Sequence, residues 1–198
     1  SALMLLVVTG VGFLIHVYSS GYMAEDESYG CFFTYMNLFV FSMLVITLAD
    51  NLVFLYLGWE GVGFCSYALI GFWYSDEVKA TAGRKAFILT RIGDVAFGIA
   101  IAFFFLITNT LSLSAINGQA ASLSAGMATA LGILLLWAAV GKSAQLPLAV
   151  WLPDAMAGPT QVSALIHAAT MVTAGVYLVA RSAPYLRSAM LASSISFL

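Results

Sequence analysis

The sequence predicts an all-α membrane protein, a bundle of helices that crosses a lipid bilayer several times. Hydrophobic residues make up 62% of the 198 positions and charged residues only 8%, whereas about a quarter of a soluble domain is charged. Six apolar runs approach the length of about 20 residues that crosses the hydrocarbon core. We therefore expect one transmembrane domain with six spans, at residues 2–18, 32–49, 52–74, 86–107, 127–150 and 161–180.

The first three spans are separated by one acidic loop and one tight turn. No basic segment precedes the first apolar run, so it is predicted to be a span rather than a secretory signal peptide. The acidic loop contains Glu25, Asp26 and Glu27, which water is expected to solvate. Asp50 and Asn51 mark a turn so short that the second and third spans must pack antiparallel.

The last three spans follow two longer polar connections. Residues 75–85 are predicted to form a loop, and residues 108–126, rich in Ser, Ala and Asn, an interfacial connection with a short amphipathic helix. The fifth span is predicted to be broken at Pro147, because a proline inside a helix removes a backbone hydrogen bond. The sixth is expected to end at Arg181, with Pro184 just beyond it.

Composition and motifs exclude several classes of function. The net charge of −2 predicts no nucleic-acid partner. Cys31 and Cys65 are far apart and are interpreted as buried thiols rather than as ligands of zinc or iron–sulfur clusters. No dinucleotide-binding, Walker, haem or flavin motif is present, so no cofactor chemistry is predicted in this chain. Loop Lys and Arg residues are too evenly divided to predict orientation.

Two ionisable residues at membrane depth are the leading candidates for function. A charge at the centre of a span costs about 2.5–3.5 kcal/mol, so such residues usually face a protein interior and act there. Glu60 lies well inside the third span, and Lys142 precedes the break at Pro147. We expect Glu60 to be the electrostatic partner of Lys142. Changing their separation would switch the lysine between its charged and neutral forms, as a proton pump requires.

Each candidate has a simpler structural interpretation. Glu60 could bond a neighbouring Ser or Tyr, and Lys142 could extend to the interface. His167 is either a packing residue or a proton relay, because imidazole both accepts and donates a proton near neutral pH. Arg91 and Asp94, one helical turn apart, form either a local ion pair or a pair that tunes Glu60 and Lys142. We interpret Asp154 as a turn or capping residue.

Three stretches resemble a known family. They are GWEGVGFCSYALIGFWY from Gly58, KAFILTRIGD from Lys85, and GKSAQLPLAVWLPDAMAGPTQVSALIHAATMVTAGVYLVAR from Gly141. These stretches closely resemble the antiporter-like membrane subunits of respiratory complex I, the proton-pumping NADH:quinone oxidoreductase, and in particular the largest of them. The likeness extends over nearly the whole chain. Gln161 departs from the pattern, since a proline is usual at that position.

The resemblance implies a fold of two inverted five-helix repeats. This chain would be a fragment that holds the first repeat and the helix before it, a reading favoured by its start at Ser1 and its end in mid-pattern. Glu60 and Lys142 would form a modulating pair whose separation releases a proton through His167. Arg91 and Asp94 match the family's T-R-x-G-D motif. The second half-channel would lie outside the chain.

The resemblance also implies a setting for the chain. We expect a subunit of an enzyme, the NADH:quinone oxidoreductase translocase, with no redox site of its own. NADH, FMN, iron–sulfur clusters and quinone would be bound by partner subunits. Its neighbours would be other antiporter-like membrane subunits and the lipid of a bacterial plasma membrane, rather than a mitochondrial inner membrane.

Two rival functions remain open. Large subunits of multisubunit sodium/proton antiporters and of membrane-bound hydrogenases share the KSAQ-x-P and HAATMV patterns and the same ionic mechanism. An independent channel or a structural membrane anchor is the second rival. It predicts that Lys142→Ala leaves proton pumping intact.

Overall fold

The computed structural model describes residues 1–119 and 122–183, and these residues form helices in agreement with the predicted all-α class. Pro184, predicted to follow the last helix, lies outside the described residues. The helices, in chain order, are α1 (Ala2–Tyr22), α2 (Tyr29–Leu48), α3 (Leu52–Ile70), α4 (Glu77–Thr108), α5 (Leu113–Gly118), α6 (Ala125–Lys142), the 3₁₀ turns Leu148–Trp151 and Asp154–Ala157, α7 (Thr160–Ala164), the π turn Leu165–Ala169, and α8 (Met171–Arg181).

Five helical segments among the described residues are long and apolar enough to cross a membrane. They are α1, α2, α3, α4 and the continuous run Thr160–Arg181. The fifth predicted span, residues 127–150, was expected to be broken and is divided between α6 and the first 3₁₀ turn. Five of the six expected segments therefore correspond to long helices, and the remaining one is interrupted.

The region predicted as a loop at residues 75–85 is mostly helical. α4 begins at Glu77, nine residues before the expected start of the span. Asp76 caps this helix, because its carboxylate accepts a 3.0 Å hydrogen bond from the Val78 backbone N–H. Glu77 adds a negative charge to the first turn, where the helix dipole favours it. A charged helical extension was thus mistaken for a loop.

The helix is interrupted before Pro147, the residue at which the break was predicted. α6 ends at Lys142, and Ala144 adopts a left-handed backbone conformation with φ 49°. The reason is that a proline ring clashes with the carbonyl four residues earlier, here that of Ser143, so Pro147 excludes the whole preceding turn from the helix. Lys142 consequently occupies the end of a helix.

The helices pack in a continuous series. α2 lies along α3, α3 along α4, α4 along α6, and α6 along α8, while α1 packs on α2 and on the α7 and π-turn segment. A cluster of apolar side chains is buried between them; the largest are Trp59, Trp151, Phe32, Phe39, Phe97 and Phe104. The short α2–α3 turn makes these two helices antiparallel neighbours, as predicted.

Polar contacts tie the loops together at both ends of the bundle. At one end, here called the Asp50 end, Arg181 donates a 2.7 Å hydrogen bond to the Ala49 carbonyl, and Ser112 donates to the Asp50 carboxylate. At the other, here called the Asp154 end, the Lys85 ammonium bonds the Asp154 carboxylate at 2.5 Å. Asp154 is also the first residue of the 3₁₀ turn Asp154–Ala157, in keeping with its prediction as a turn or capping residue. It thus both begins a turn and forms an ion pair.

The two cysteines are free thiols. Cys65 is buried in α3, as predicted, whereas Cys31 is exposed near the start of α2. The expectation that both would be buried was therefore wrong for Cys31. The acidic loop also differs in part from its prediction, because Asp26 accepts a 3.0 Å hydrogen bond from the Trp73 indole N–H.

Candidate functional site

Two glycines determine where α4 and α6 cross. A Cβ at Gly93 would lie 3.1 Å from the Gly141 Cα, and a Cβ at Gly141 would lie 3.1 Å from the Gly93 Cα. Small residues allow membrane helices to approach this closely. Since Asp94 directly follows Gly93 and Lys142 directly follows Gly141, the crossing brings a carboxylate and an ammonium together in the interior.

Lys142 is almost completely enclosed by protein. Its side chain is 1% exposed, and Nζ donates a 3.2 Å hydrogen bond to Asp94 Oδ2. The ammonium also lies 5.7 Å from the centre of the Trp59 ring, within the range of a cation–π contact. Gly63 on α3 makes room for it, because a Cβ there would lie 2.7 Å from Nζ. The lysine therefore does not extend to the membrane interface.

Asp94 is the centre of the site. Its side chain is 1% exposed, and Oδ1 accepts a 2.6 Å hydrogen bond from the Trp59 indole N–H while Oδ2 accepts from Lys142. Oδ2 also lies 4.0 Å from Arg91 Nε, so the local pair predicted from their separation of one helical turn is present at the limit of an ion pair. Asp94 is therefore in contact with side chains from three helices, α3, α4 and α6.

Glu60 is paired with Arg91. Glu60 Oε2 faces Arg91 Nη1, and the two side chains are 19% and 36% exposed. Among the described residues, Glu60 has no ion pair with Lys142 within 4.0 Å, and Asp94 occupies that place. In place of the expected pairing of Glu60 with Lys142, the structure pairs Lys142 with Asp94 and Glu60 with Arg91. Burying the ammonium beside the Asp94 carboxylate satisfies it locally, and Glu60 connects to it only through Arg91.

The four side chains form a row of alternating charge, here called the charge row: Glu60, Arg91, Asp94 and Lys142. Two carboxylates and two cations make the row formally neutral. Arg91 lies between the two carboxylates, and its guanidinium carbon stacks 4.5 Å from the centre of the Phe87 ring. An arginine between two acids can strengthen its contact with one as it weakens its contact with the other.

His167 lies in an irregular part of the last membrane segment. It belongs to the π turn Leu165–Ala169, and both of its ring nitrogens are buried without a hydrogen-bond partner among the described residues. Thr170 closes this turn by donating a 2.5 Å hydrogen bond to the Leu165 carbonyl. π turns recur at functional sites in helices. No direct bond joins His167 to the charge row within the described part of the chain.

The sequence analysis missed three residues of the site. Trp59 orients Asp94, Gly63 makes room for Lys142, and Gly93 sets the helix crossing. A signal existed for Trp59, because a buried indole N–H requires an acceptor and the residue directly precedes Glu60. The repeated pattern of glycine followed by a charged residue, at Gly93 and Gly141, was a signal for the crossing.

The fold and the charge row define a polytopic membrane protein with ionisable groups enclosed between its helices. The chain belongs to the transmembrane family described as NADH:quinone oxidoreductase/Mrp antiporter, whose family model matches residues 49–198. A second model, described as the N-terminus of chain 5 of NADH-ubiquinone oxidoreductase (complex I), matches residues 1–33. These matches confirm the resemblance read from the sequence motifs.

Curated relatives carry the name NADH-quinone oxidoreductase subunit L. The chain is 59% identical to that of Pseudomonas aeruginosa, 57% to that of Escherichia coli and 55% to that of Mycobacterium tuberculosis, over 91%, 92% and 90% of its length. It spans 28 to 30% of the length of these relatives.

Two solved assemblies contain a similar fold. A chain of the Mrp complex from Dietzia sp. DQ12-45-1b superposes with a TM-score of 0.89 at 34% identity, over 96% of this chain and 21% of that one. A chain of an archaeal membrane-bound sulfane sulfur reductase superposes with a TM-score of 0.76 at 24% identity, over 94% and 30%. The second likeness shows the fold alone.

Proposed function

We propose that this chain is part of a proton-translocating membrane subunit of an NADH:quinone oxidoreductase, and that the charge row holds and releases the proton. The observation that carries the proposal is the enclosure of Lys142, 1% exposed, with Asp94 as its only ion-pair partner among the described residues. The names of the relatives at 55 to 59% identity support the assignment of the subunit to this enzyme.

The proposed switch depends on the competition for Asp94. In the arrangement seen here, Asp94 bonds Lys142, and Arg91 is directed mainly towards Glu60. A shift of the Arg91 guanidinium from Glu60 towards Asp94 would draw that carboxylate away from the ammonium. A buried ammonium without a carboxylate beside it is unfavourable relative to the neutral amine. Lys142 would then give up its proton.

In this scheme Glu60 acts through Arg91 rather than by touching Lys142. A proton or positive charge that arrives near Glu60 weakens the attraction of this carboxylate for Arg91. Arg91 can then move towards Asp94 and compete with Lys142 for it. Each member of the row then responds to its neighbour, because charges in a medium of low dielectric constant interact strongly. The modulating pair expected from the family resemblance becomes a row of four groups.

His167 is proposed as the next carrier after Lys142. Its two unpartnered, buried ring nitrogens are free to accept a proton on one side and donate one on the other. Internal water is needed to span the gap, since no direct contact with the charge row is present in the described residues. The remainder of the longer subunit would supply the second half-channel.

The proposed setting follows from the relatives. NADH, FMN, iron–sulfur clusters and quinone would be bound by other subunits of the complex, and adjacent antiporter-like subunits would be the membrane partners. The membrane is proposed to be a bacterial plasma membrane. The work of this chain would be confined to moving protons.

Proton translocation by the assembled complex tests this function. Lys142→Ala and Glu60→Gln are introduced into the full-length subunit, and acidification of inverted vesicles is compared with quinone reductase activity. We expect both variants to lower the number of protons moved per electron, Lys142→Ala the more strongly. Lys85→Ala is the matched control, because Lys85 pairs with Asp154 at 42% and 45% exposure.

The same measurement separates the proposal from a structural anchor. If Lys142→Ala pumps as the wild type does while the reductase remains assembled, the charge row has no part in translocation and an anchor or independent channel is favoured. If pumping falls with reductase activity unchanged, the loss belongs to the proton path rather than to assembly.

A sodium/proton antiporter is the second candidate, favoured by the 0.89 TM-score with a chain of the Mrp complex. The lower identity of 34%, compared with 55 to 59% for the subunit L relatives, places it behind the first candidate. Vesicles assayed with and without sodium discriminate the two. NADH-driven acidification that persists without sodium supports the oxidoreductase, and sodium-dependent proton exchange without NADH supports the antiporter.

A further inference from the structure

A buried amide in the last membrane segment has no partner. Gln161 is 1% exposed, and neither Oε1 nor Nε2 has a hydrogen-bond partner among the described residues. An amide buried without hydrogen bonds is strongly disfavoured, and internal water usually satisfies such groups. In the sequence, Gln161 stands out only because a proline is usual at its position, and no role is predicted for it.

The buried hydroxyls of the adjacent helices do not supply the missing bonds. α7 packs against α1 and α3, in which Ser19 and Ser66 are fully enclosed. Ser19 donates to the Ile15 carbonyl at 2.7 Å, and Ser66 donates to the Gly63 carbonyl at 2.8 Å. Each hydroxyl proton is thus used within its own helix. Since neither Oε1 nor Nε2 of Gln161 has a partner among the described residues, the amide remains available to water.

Gln161 lies between the Asp154 end of the bundle and the depth of the charge row. A Cβ at Gly158 would lie 3.1 Å from the Ile70 Cα, so this part of the chain begins beside the end of α3. From Gln161, six helical residues lead to His167, a rise of about 9 Å. The path from the Asp154 end towards His167 therefore passes an unsatisfied amide first and an unsatisfied imidazole second.

We propose that the side chain of Gln161 binds internal water, and that this water is a station on the route by which protons pass between the Asp154 end and His167. The amide can donate to one water molecule and accept from another, so it orients them without itself taking up a proton. Gln161 is thus a positioning residue. Its part in proton transfer rests on the proposed function of the charge row, whereas the binding of water does not.

Water density in the assembled complex is the direct test. We expect a map that resolves ordered water to show oxygen density about 2.7–3.2 Å from the Gln161 amide, and we expect Gln161→Leu to lack it. Gln161→Pro is a second apolar variant, because proline is accommodated in the first turn of a helix. An amide bonded directly to protein, or enclosed without water, overturns the proposal.

Proton pumping is the second readout. We expect Gln161→Leu to lower the pumping rate about fivefold, the size of effect expected for one hydrogen bond in the rate-determining barrier. Gln161→Glu, which keeps a polar group for water, should restore most of the rate. Gln119→Leu, the same change at an exposed position, is the control and should pump normally.

The outcomes separate the two proposals. If Lys142→Ala abolishes pumping while Gln161→Leu pumps normally, the route past Gln161 is wrong and the charge row stands. If Lys142→Ala has no effect, the proposed function fails, and the density map alone decides whether Gln161 binds water. Should Gln161→Leu not assemble, the wild-type map and Gln161→Glu still decide: missing density, or a Gln161→Glu complex that assembles without pumping, overturns the proposal.

Discussion

Two lysine–aspartate pairs connect α4 with α6 and with the 3₁₀ turns that follow it, and they differ in burial rather than in chemistry. Lys142 and Asp94 are both 1% exposed with 3.2 Å between Nζ and Oδ2, whereas Lys85 and Asp154 are 42% and 45% exposed at 2.5 Å. The shorter bond is the weaker one, because water competes for exposed charges and screens them. Burial therefore makes the first pair sensitive to its neighbours and leaves the second a surface contact.

The buried pair also has more hydrogen-bond and ionic partners than the exposed pair, because it has lost its water. Removing an ion from water carries a large desolvation cost that only good geometry and additional hydrogen bonds can offset. Asp94 receives these from Trp59, Lys142 and, at a greater distance, Arg91. The exposed pair needs no such enclosure.

The largest effect is expected from breaking one partner of each pair. Asp94→Ala should destabilise the full-length chain by about 3–5 kcal/mol, because it leaves an uncompensated charge in the interior. Asp154→Ala should cost less than about 1 kcal/mol. Loss of helicity on titration of bicelle-solubilised protein with denaturing detergent measures both.

A double variant separates stability from function at the same site. Asp94→Leu combined with Lys142→Met should recover much of the lost stability, since apolar residues often replace a buried pair without cost. Pumping should remain absent. If the double variant pumped, the charges of Asp94 and Lys142 would be structural, and the buried pair would not differ from the exposed pair in function.

The helix crossing is expected to give the next largest effect. Gly93→Ala places a methyl group 3.1 Å from the Gly141 Cα and must separate α4 from α6, at a cost of about 1–3 kcal/mol. Gly98→Ala on the same helix is the matched control, because its nearest neighbour, the Tyr56 hydroxyl, would lie at an ordinary 3.6 Å.

Stability and pumping of the two glycine variants are measured together. We expect Gly93→Ala to lower both and Gly98→Ala to change neither. Equal behaviour of the two would mean that the close approach at Gly93 does not position Asp94.

An effect of similar size is expected from one of the two tryptophans that bond aspartates. Trp59→Phe keeps a ring beside Lys142 but removes the 2.6 Å bond to Asp94, while Trp73→Phe removes the 3.0 Å bond to the partly exposed Asp26. A hydrogen bond to a charged group is worth about 1.5–3 kcal/mol when buried. We expect Trp59→Phe to slow pumping and Trp73→Phe to leave it unchanged, as measured by initial rates of vesicle acidification.

The smallest effect is expected from a change of salt concentration on the stability of the variants. Ions screen exposed charges strongly and buried charges weakly. The modest stability difference between wild type and Lys85→Ala should therefore shrink as ionic strength rises, whereas the deficit of Asp94→Ala should persist. Detergent titration at low and high salt checks this, and an Asp94→Ala deficit that vanished in salt would contradict the buried character of the pair.

Several features were predictable from residues alone. The helical class and the membrane setting follow from apolar runs that only lipid can solvate. That Glu60, Arg91, Asp94 and Lys142 need partners within the protein follows from the cost of ionisable groups at membrane depth, whereas their part in proton transfer stays a prediction. The interruption after α6 was predicted too, although Pro147 acts one turn earlier than its own position.

The partners of these groups were not predictable in the same way. Spacing along one helix predicts the contact of Arg91 with Asp94 but gives no distances between helices. Glu60 was assigned to Lys142 because both are ionisable residues in apolar surroundings. The loop expected at residues 75–85 was wrong because its charged residues extend α4 beyond the apolar run. Gln161 was passed over because an amide is uncharged, and its lack of partners becomes visible only in the packed interior.

By itself the sequence determined which groups are costly to bury, because the free energy of burying a charge depends on residue type and on the length of the apolar run around it. Only the tertiary structure decided how those charges are shared. The approach of Gly93 to Gly141 brings Lys142 to Asp94, and Arg91 is left between Asp94 and Glu60. Two charges interact strongly in a medium of low dielectric constant, and the interaction weakens as their separation grows. Those separations are set by the packing of helices that lie far apart in sequence.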